Sequence, residues 1–407
     1  INLMLKFYLT LKNIFFISLF FFLQSNYLSA DKLLVNCGGD FNTFLRNIGE
    51  VAINQGIDKN DVFLVLKKTQ RSKKVLSFDR KQSTFRLSFI EFSKKAINSY
   101  RLKNGKKNIE KYRDLFLIAK SKYGIPPEVI TAFWAMETDF GAVQGNFHTI
   151  SALATLAHDC RRPEMFQQEY IAALHLFSKG VIDLKTTGAW AGEVGQVQML
   201  PSDILRFGSD GNKDGIIDLK KSPEDSILTA AALISELGWK PNQPWIEEVI
   251  INDINFPWQE AGFGRNRTVS SWKKLGIISR NNKFMASDKT MATLLLPQGL
   301  KGPKFLAYPN YNIYLKWNDS FIYTVTAAHL ASRLGGQKKF LSNKPENILS
   351  VEEMLKLQKI LQSMGYDVGK VDGILGRKTR QSVRSIQIKL GFPADSWPTA
   401  DLFNILN

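Results

Sequence analysis

The stretch from Tyr123 to Gly145 reads YGIPPEVITAFWAMETDFGAVQG. Pro126 or Pro127 fits a first helical turn, Glu128 suits the positive helix end, and Gly141 offers a stop, so a helix is predicted between them. Trp134, Phe133 and Ile130 lie three, four and seven residues before Glu137, so its carboxylate shares a stripe with three large apolar side chains. A carboxylate placed there is partly desolvated, which raises its pKa and suits a general acid for a glycosidic oxygen. The plainer reading is a helix-end carboxylate with its stem packed and its head in water, and the helix alone favours that one. Asp139, two residues on, is about 200° around the helix and points away, as an end-of-helix structural residue. One carboxylate acting alone does not fit the usual two-carboxylate glycosidase scheme, so the substrate itself would supply the nucleophile.

Outward from this helix, most of the chain between Cys37 and Leu334 reads as helical segments broken by Gly, Pro and Asn. Strand-like alternation is sparse, and Ile313–Val325 (IYLKWNDSFIYTV) is expected to hold a short hairpin or extended segment. The apolar pattern fades after Gly335-Gly336, and a linker is placed at 341–348. A unit of about sixty residues follows, with amphipathic helices around Leu355–Leu361 and Val383–Leu390; so small a unit is marginal alone and reads as a binding module.

The full chain has 407 residues, 44% of them hydrophobic, which excludes intrinsic disorder, and a formal charge of +17. Such basicity fits nucleic acid, an anionic membrane or an anionic wall polymer. The first thirty residues narrow the choice. Lys6 and Lys12 precede the apolar run Ile14–Leu23 (IFFISLFFFL), which is too short to span a bilayer, and Ala30 offers a cleavage point. A cleavable signal peptide over 1–30 is expected, and with it export to the periplasm. An exported chain has no nucleic acid as natural partner, and losing Lys6 and Lys12 leaves the mature charge at +15. In an oxidising compartment Cys37 and Cys160 are expected to pair. Leu34-Val35-Asn36 lacks the small residue a lipid-attachment cysteine needs. Four histidines, two cysteines and no CxxC or HExxH spacing leave little material for zinc.

A set of strings now falls in order: VLSFDRKQ (75–82), YGIPPEVI (123–130), METDFG (136–141), ALATLAHDCRR (152–162), GAWAGEVGQVQMLPS (188–202), DGNKDGIIDL (210–219) and WNDSFIY (317–323). Together they resemble the lytic murein transglycosylases of the B type. The end of the chain, with VDGILGRKTRQSV at 371–383, is similar to the peptidoglycan-binding module often joined to those enzymes. The resemblance implies a mainly α, lysozyme-like α+β catalytic domain over 31–340 and a small three-helix module over 349–407. It implies a monomer without a transmembrane span in its mature form, whose partner is the peptidoglycan glycan strand, with no cofactor required.

By the same resemblance Glu137 is the sole catalytic acid and base. It would protonate the oxygen between N-acetylmuramic acid and N-acetylglucosamine, and then take the proton of the muramyl 6-hydroxyl. The product is a 1,6-anhydromuramyl end. Gln198 keeps the substrate-binding amide of the family's cleft-floor loop, and Gln196 is either a sugar contact or structural. The loop departs from the family where a serine is replaced by Ala189 and an alanine by Glu193, read as a solvated surface charge or as a second carboxylate at the cleft edge. Asn318 is expected to hold substrate or orient Glu137, and Tyr323 to offer a hydroxyl to the muramyl acetamido group. A capping Asn and a core Tyr are the plainer readings. Asp210, Asn212, Asp214, Gly215 and Asp218 fall at EF-hand-like positions, but Lys221 stands where a bidentate Glu is wanted, so calcium is weakly indicated and a metal-free turn favoured. Asp225 is read as a carboxylate that could compensate. A hydrolytic muramidase and a catalytically weak wall-binding protein remain the alternatives.

Overall fold

The computed structural model describes residues 33–80, 87–253, 255–342 and 344–407. The proposed signal peptide lies outside the described residues. Seventeen α-helices, one 3-10 turn and seven short strands are described.

Seven helices lead to and include the quoted stretch: α1 (Phe41–Asn54), α2 (Lys59–Lys68), α3 (Lys73–Arg80), α4 (Phe89–Ala96), α5 (Ser99–Lys111), α6 (Arg113–Tyr123) and α7 (Pro127–Thr138). β1 (Phe147–His148), α8 (Thr149–His158), α9 (Pro163–Ser178), β2 (Thr187–Gly188), α10 (Pro201–Phe207) and α11 (Pro223–Glu236) follow. Then come β3 (Ile246–Ile251), β4 (Asn266–Thr268), α12 (Val269–Lys274), β5 (Ile277–Ser279), β6 (Met291–Leu295) and β7 (Phe305–Ala307). The last helices are α13 (Tyr311–Trp317), α14 (Phe321–Leu334), α15 (Val351–Ser363), α16 (Arg377–Lys389) and α17 (Ala400–Leu406).

Local chemistry fixes many of the helix starts. Asp40 caps α1 through the Thr43 amide, Ser88 and Glu91 form a reciprocal capping box on α4, and Pro127 opens α7. From Val129 to Ala135 every side chain of α7 is buried, and α14 is nearly as apolar on all sides. Helices apolar all round belong inside, and these two pack against each other at the centre of the main core.

The long sheet runs β4-β6-β7-β3-β5, antiparallel at each pairing. Leu295 and Phe305 face the main core, whereas Leu294 and Leu306 face a second core built around Trp272. Both faces are therefore covered. This sheet was not foreseen, and the segment expected to be extended is helical: Ile313–Val325 lies on α13 and α14, joined at a corner where Ser320 caps α14. Its β-prone residues yield to capping and burial, which override an intrinsic preference of about 1 kcal/mol.

The predicted pairing is present: Cys37 and Cys160 form a disulfide that ties the segment before α1 to the turn after α8. Among the described residues no helix is long and apolar enough to cross a membrane.

Helices α15, α16 and α17 enclose a third core of Met354, Leu357, Leu361, Val383, Ile386 and Leu402. This three-helix unit is docked. Arg380 of α16, only 4% exposed, donates to the carbonyl oxygens of Leu296 (3.4 Å) and Pro297 (2.8 Å), and its guanidinium lies over the ring of Phe321 at the start of α14. Arg384 donates to the Ala261 carbonyl, and Asp395 accepts from the Leu300 amide.

Candidate active site

Glu137 is the penultimate residue of α7. The helix stops at Thr138, three residues before the glycine expected to end it. Asp139, Phe140 and Gly141 then all take left-handed backbone, with φ of 50°, 63° and 86°. Two successive non-glycine residues in that region are unusual, and the surroundings hold them there. Arg101 pairs with Asp139 at 2.5 Å, and the Gly141 amide donates to the Thr138 hydroxyl at 2.8 Å. Asp139 is thus an end-of-helix structural residue.

The loop from Gly188 to Ser202 is stitched to the same helix end. Trp134 Nε1 donates to Gln196 Oε1 at 3.0 Å, and the Thr138 hydroxyl donates to the Gln196 carbonyl at 2.5 Å. Gln196 is 4% exposed, with its amide oxygen taken by Trp134 and its carbonyl by Thr138. Gln198 is half-buried with left-handed backbone; its Nε2 donates to Gly195 O (2.9 Å) and Gln144 O (3.3 Å), and Oε1 carries no partner among the described residues. Gly145 (φ +87°) lets the next turn press on this loop, since a Cβ there would meet the Gly188 carbonyl oxygen at 2.2 Å.

On the other side stands the corner between α13 and α14. Trp317 Nε1 donates to Glu137 Oε1 at 2.9 Å, and the Tyr323 hydroxyl donates to the same oxygen. Trp317 is held by stacking on Phe133, with ring centroids 4.2 Å apart, one turn before Glu137 on α7. Glu137 Oε2 has no hydrogen-bond partner among the described residues. Asn318 does not orient Glu137. Its Oδ1 accepts from the Ser320 amide at 2.8 Å, forming an Asx turn ahead of the Ser320 cap, and Trp317 and Tyr323 are the side chains that hold Glu137. Tyr323 spends its hydroxyl on Glu137. Trp317 escaped notice as a donor because an indole in an apolar segment reads as core; only its stack on Phe133, distant in sequence, aims it.

Burial raises the Glu137 pKa, and the Tyr323 and Trp317 donors and the nearby Arg101 charge offset part of the rise. The same burial and the Glu137 charge push Tyr323 well above the tyrosine range, so it stays a neutral donor. Glu193 is half-buried, with Oε2 enclosed and unpartnered, and so is not a solvated surface charge.

The site thus offers one carboxyl of raised pKa, fixed through one oxygen and free at the other, above a loop rigidly joined to its helix. That is the equipment for proton transfer to and from an ether oxygen. The family described as the transglycosylase SLT domain matches residues 40–332. The chain belongs to this family. A peptidoglycan-binding domain family matches residues 350–406. The membrane-bound lytic murein transglycosylase B of Escherichia coli K12 is 25% identical over 311 residues, covering 73% of this chain and 84% of the relative. SltB3 of Pseudomonas aeruginosa, solved in complex with NAG-anhNAM-pentapeptide, is 30% identical with a TM-score of 0.83, across 91% of this chain and all of that one. The Escherichia coli lytic transglycosylase Slt35, solved in complex with calcium, is 25% identical with a TM-score of 0.63, across 74% of this chain and 96% of that one. The chain is accordingly a B-type lytic transglycosylase, an enzyme acting on peptidoglycan, with the lysozyme-like fold of its family and a helical binding domain at its end.

The calcium of Slt35 directs attention to Asp210–Lys221. Here Asp210 accepts from the amides of Asp214 (3.1 Å) and Gly215 (2.8 Å), Asn212 from Asp214 N (3.1 Å), Asp214 from Ile216 N (2.9 Å), and Asp218 from Lys220 N (2.9 Å). Buried Asp225 is likewise turned to backbone, accepting from Gly211 N and Asp218 N. Lys221 stands at the twelfth position, where an EF-hand loop carries a bidentate acid.

Proposed function

We propose that this enzyme cuts the bond from N-acetylmuramic acid to N-acetylglucosamine without consuming water, leaving 1,6-anhydromuramyl ends, with Glu137 as acid and then base. The observation that carries the reading is the asymmetry of the Glu137 carboxyl: Oε1 takes two donors, while Oε2 takes none. In its protonated form Oε2 delivers the proton to the glycosidic oxygen. Once ionised, the carboxylate is steadied by Tyr323 and Trp317 and withdraws the proton of the muramyl 6-hydroxyl, whose oxygen closes on the anomeric carbon. The muramyl acetamido carbonyl covers the opposite face of the ring between the two steps. One carboxyl suffices because the substrate supplies the nucleophile, and no cofactor enters. The anhydro-sugar ligand named for SltB3 supports this product. Gln198 is proposed as a substrate contact through its free Oε1, and Asn318 through its amide nitrogen. The reading places the enzyme in the periplasm, where a mature charge of +15 gives salt-sensitive retention on a carboxylate-bearing wall.

The test is digestion of purified sacculi by wild type and Glu137→Gln, followed by mass analysis of the muropeptides. Anhydromuropeptides from the wild type alone are expected. Equal yields from both proteins would remove Glu137 from the mechanism, and free reducing ends would show hydrolysis instead.

A further inference from the structure

Glu193 lies on the loop that Gln196 ties to the Glu137 helix, and its carboxyl is enclosed on one side. It closes the turn at the start of the cleft-floor loop: the Ala189 amide donates to the Glu193 carbonyl at 2.9 Å. The turn has no slack, since a Cβ on Gly188 would meet that carbonyl oxygen at 2.0 Å and one on Gly192 would meet Leu153 Cδ2 at 2.2 Å. Three residues on, Gln196 is bonded to Trp134 and Thr138 on either side of Glu137, so the turn and the Glu137 helix move as one body.

Within this frame Glu193 Oε2 is shut off from solvent and receives no hydrogen bond. The groups facing the carboxyl are Glu137, Arg162 and the backbone amides of Ala191 and Glu193 itself. Arg162 is already spent on Asp79 at 2.6 Å, and its Nε is buried without a partner. An ionised carboxylate needs donors at both oxygens, whereas a neutral acid leaves one carbonyl oxygen that tolerates enclosure. Burial raises the pKa of this group most, with the Glu137 charge adding to it, while the amides of Glu193 and Ala191 and the Arg162 charge offset part of the rise. Oε1, unlike Oε2, is not enclosed and takes no hydrogen bond among the described residues, so it is the oxygen open to a ligand.

We infer that Glu193 is a second carboxyl group of the cleft, kept as the neutral acid beside Glu137, and that its Oε1–H donates a hydrogen bond to an acceptor oxygen of the bound glycan. This rests on the proposed reading of Glu137 and adds a specificity-determining contact. Glu193 neither protonates the leaving group nor receives a proton during the reaction; as a neutral neighbour it also adds no negative charge when Glu137 becomes the base.

Binding of a GlcNAc–MurNAc tetrasaccharide by Glu137→Gln protein separates this inference from the catalytic one, because no bond is cut. With Glu193 present, affinity falls about fivefold as pH rises through the titration of its carboxyl, the factor of roughly one neutral hydrogen bond. Adding Glu193→Gln keeps an N–H donor that does not titrate, so affinity stays near the acid-side value at every pH. Adding Glu193→Ala lowers affinity about fivefold throughout, at undiminished thermal stability. An unaltered pH dependence with glutamine, or full affinity with alanine, overturns the inference. Absence of anhydro ends from the wild type would instead count against the catalytic reading and leave the binding result standing.

Discussion

Replacing Tyr323 by Phe removes one hydroxyl and little else, since the ring stays buried in the main core. The hydroxyl donates to Glu137 Oε1, and so favours the ionised form. A hydrogen bond to a charged group is worth about 1.5–3 kcal/mol, or about one to two pKa units at 1.36 kcal/mol each. Trp317 remains on the same oxygen at 2.9 Å and compensates in part, so the lower figure applies. The Glu137 pKa should therefore rise by about one further unit. In a profile of kcat/KM for anhydromuropeptide release, taken over roughly pH 4 to 9, the alkaline limb should move up by that amount, because this limb reports the acid of the free enzyme. The maximal rate should fall as well, since the base step loses a donor that steadies the carboxylate. Trp317→Phe should shift the limb in the same direction, with stacking on Phe133 retained. An alkaline limb that stays in place or moves to lower pH in Tyr323→Phe would refute the argument that this hydroxyl sets the acidity of Glu137.

Glu137→Gln should be inactive yet more stable than wild type near neutrality. A buried carboxyl of raised pKa gives its full stabilisation below the ordinary value of 4.5 and loses it as pH rises through the folded value, whereas glutamine never ionises. The difference in Tm should therefore close below about pH 4. Substituting both Cys37 and Cys160 by Ala opens a separation of 123 residues, and the loop-entropy treatment gives a loss of at most about 5 kcal/mol, read as a lower denaturation midpoint that reductant no longer changes. Gly145→Ala puts a Cβ 2.2 Å from a backbone oxygen at φ +87°, and should lower stability by at least about 2 kcal/mol in urea unfolding, with activity lost as the floor loop is displaced.

The helical character of the chain and the start of α7 were legible because they rest on local chemistry: proline in a first turn, capping residues and a 3.6-residue apolar repeat. The ordered motifs likewise singled out Glu137 and Tyr323, which the fold brings into contact. The five-stranded sheet was not legible, and the reason is burial on both faces. Leu294-Leu295 and Phe305-Leu306-Ala307 send neighbouring residues into different cores, so no alternation of apolar and polar residues marks the strands. Gln196 and Glu193 were ambiguous in sequence for a related reason. The partners that occupy the Gln196 amide and leave the Glu193 oxygen bare come from other elements, and only the folded chain brings them together.

Arg380 has a consequence for genetic dissection. Cutting the chain before α15 would strip a guanidinium from the ring of Phe321, two residues from Tyr323, and uncover the carbonyl oxygens of Leu296 and Pro297. A shortened protein that loses activity would then report a loosened α14 as readily as a lost hold on the wall. Substitutions on the face of α15 turned away from the catalytic domain would probe the hold alone, because they leave the seat of Arg380 intact.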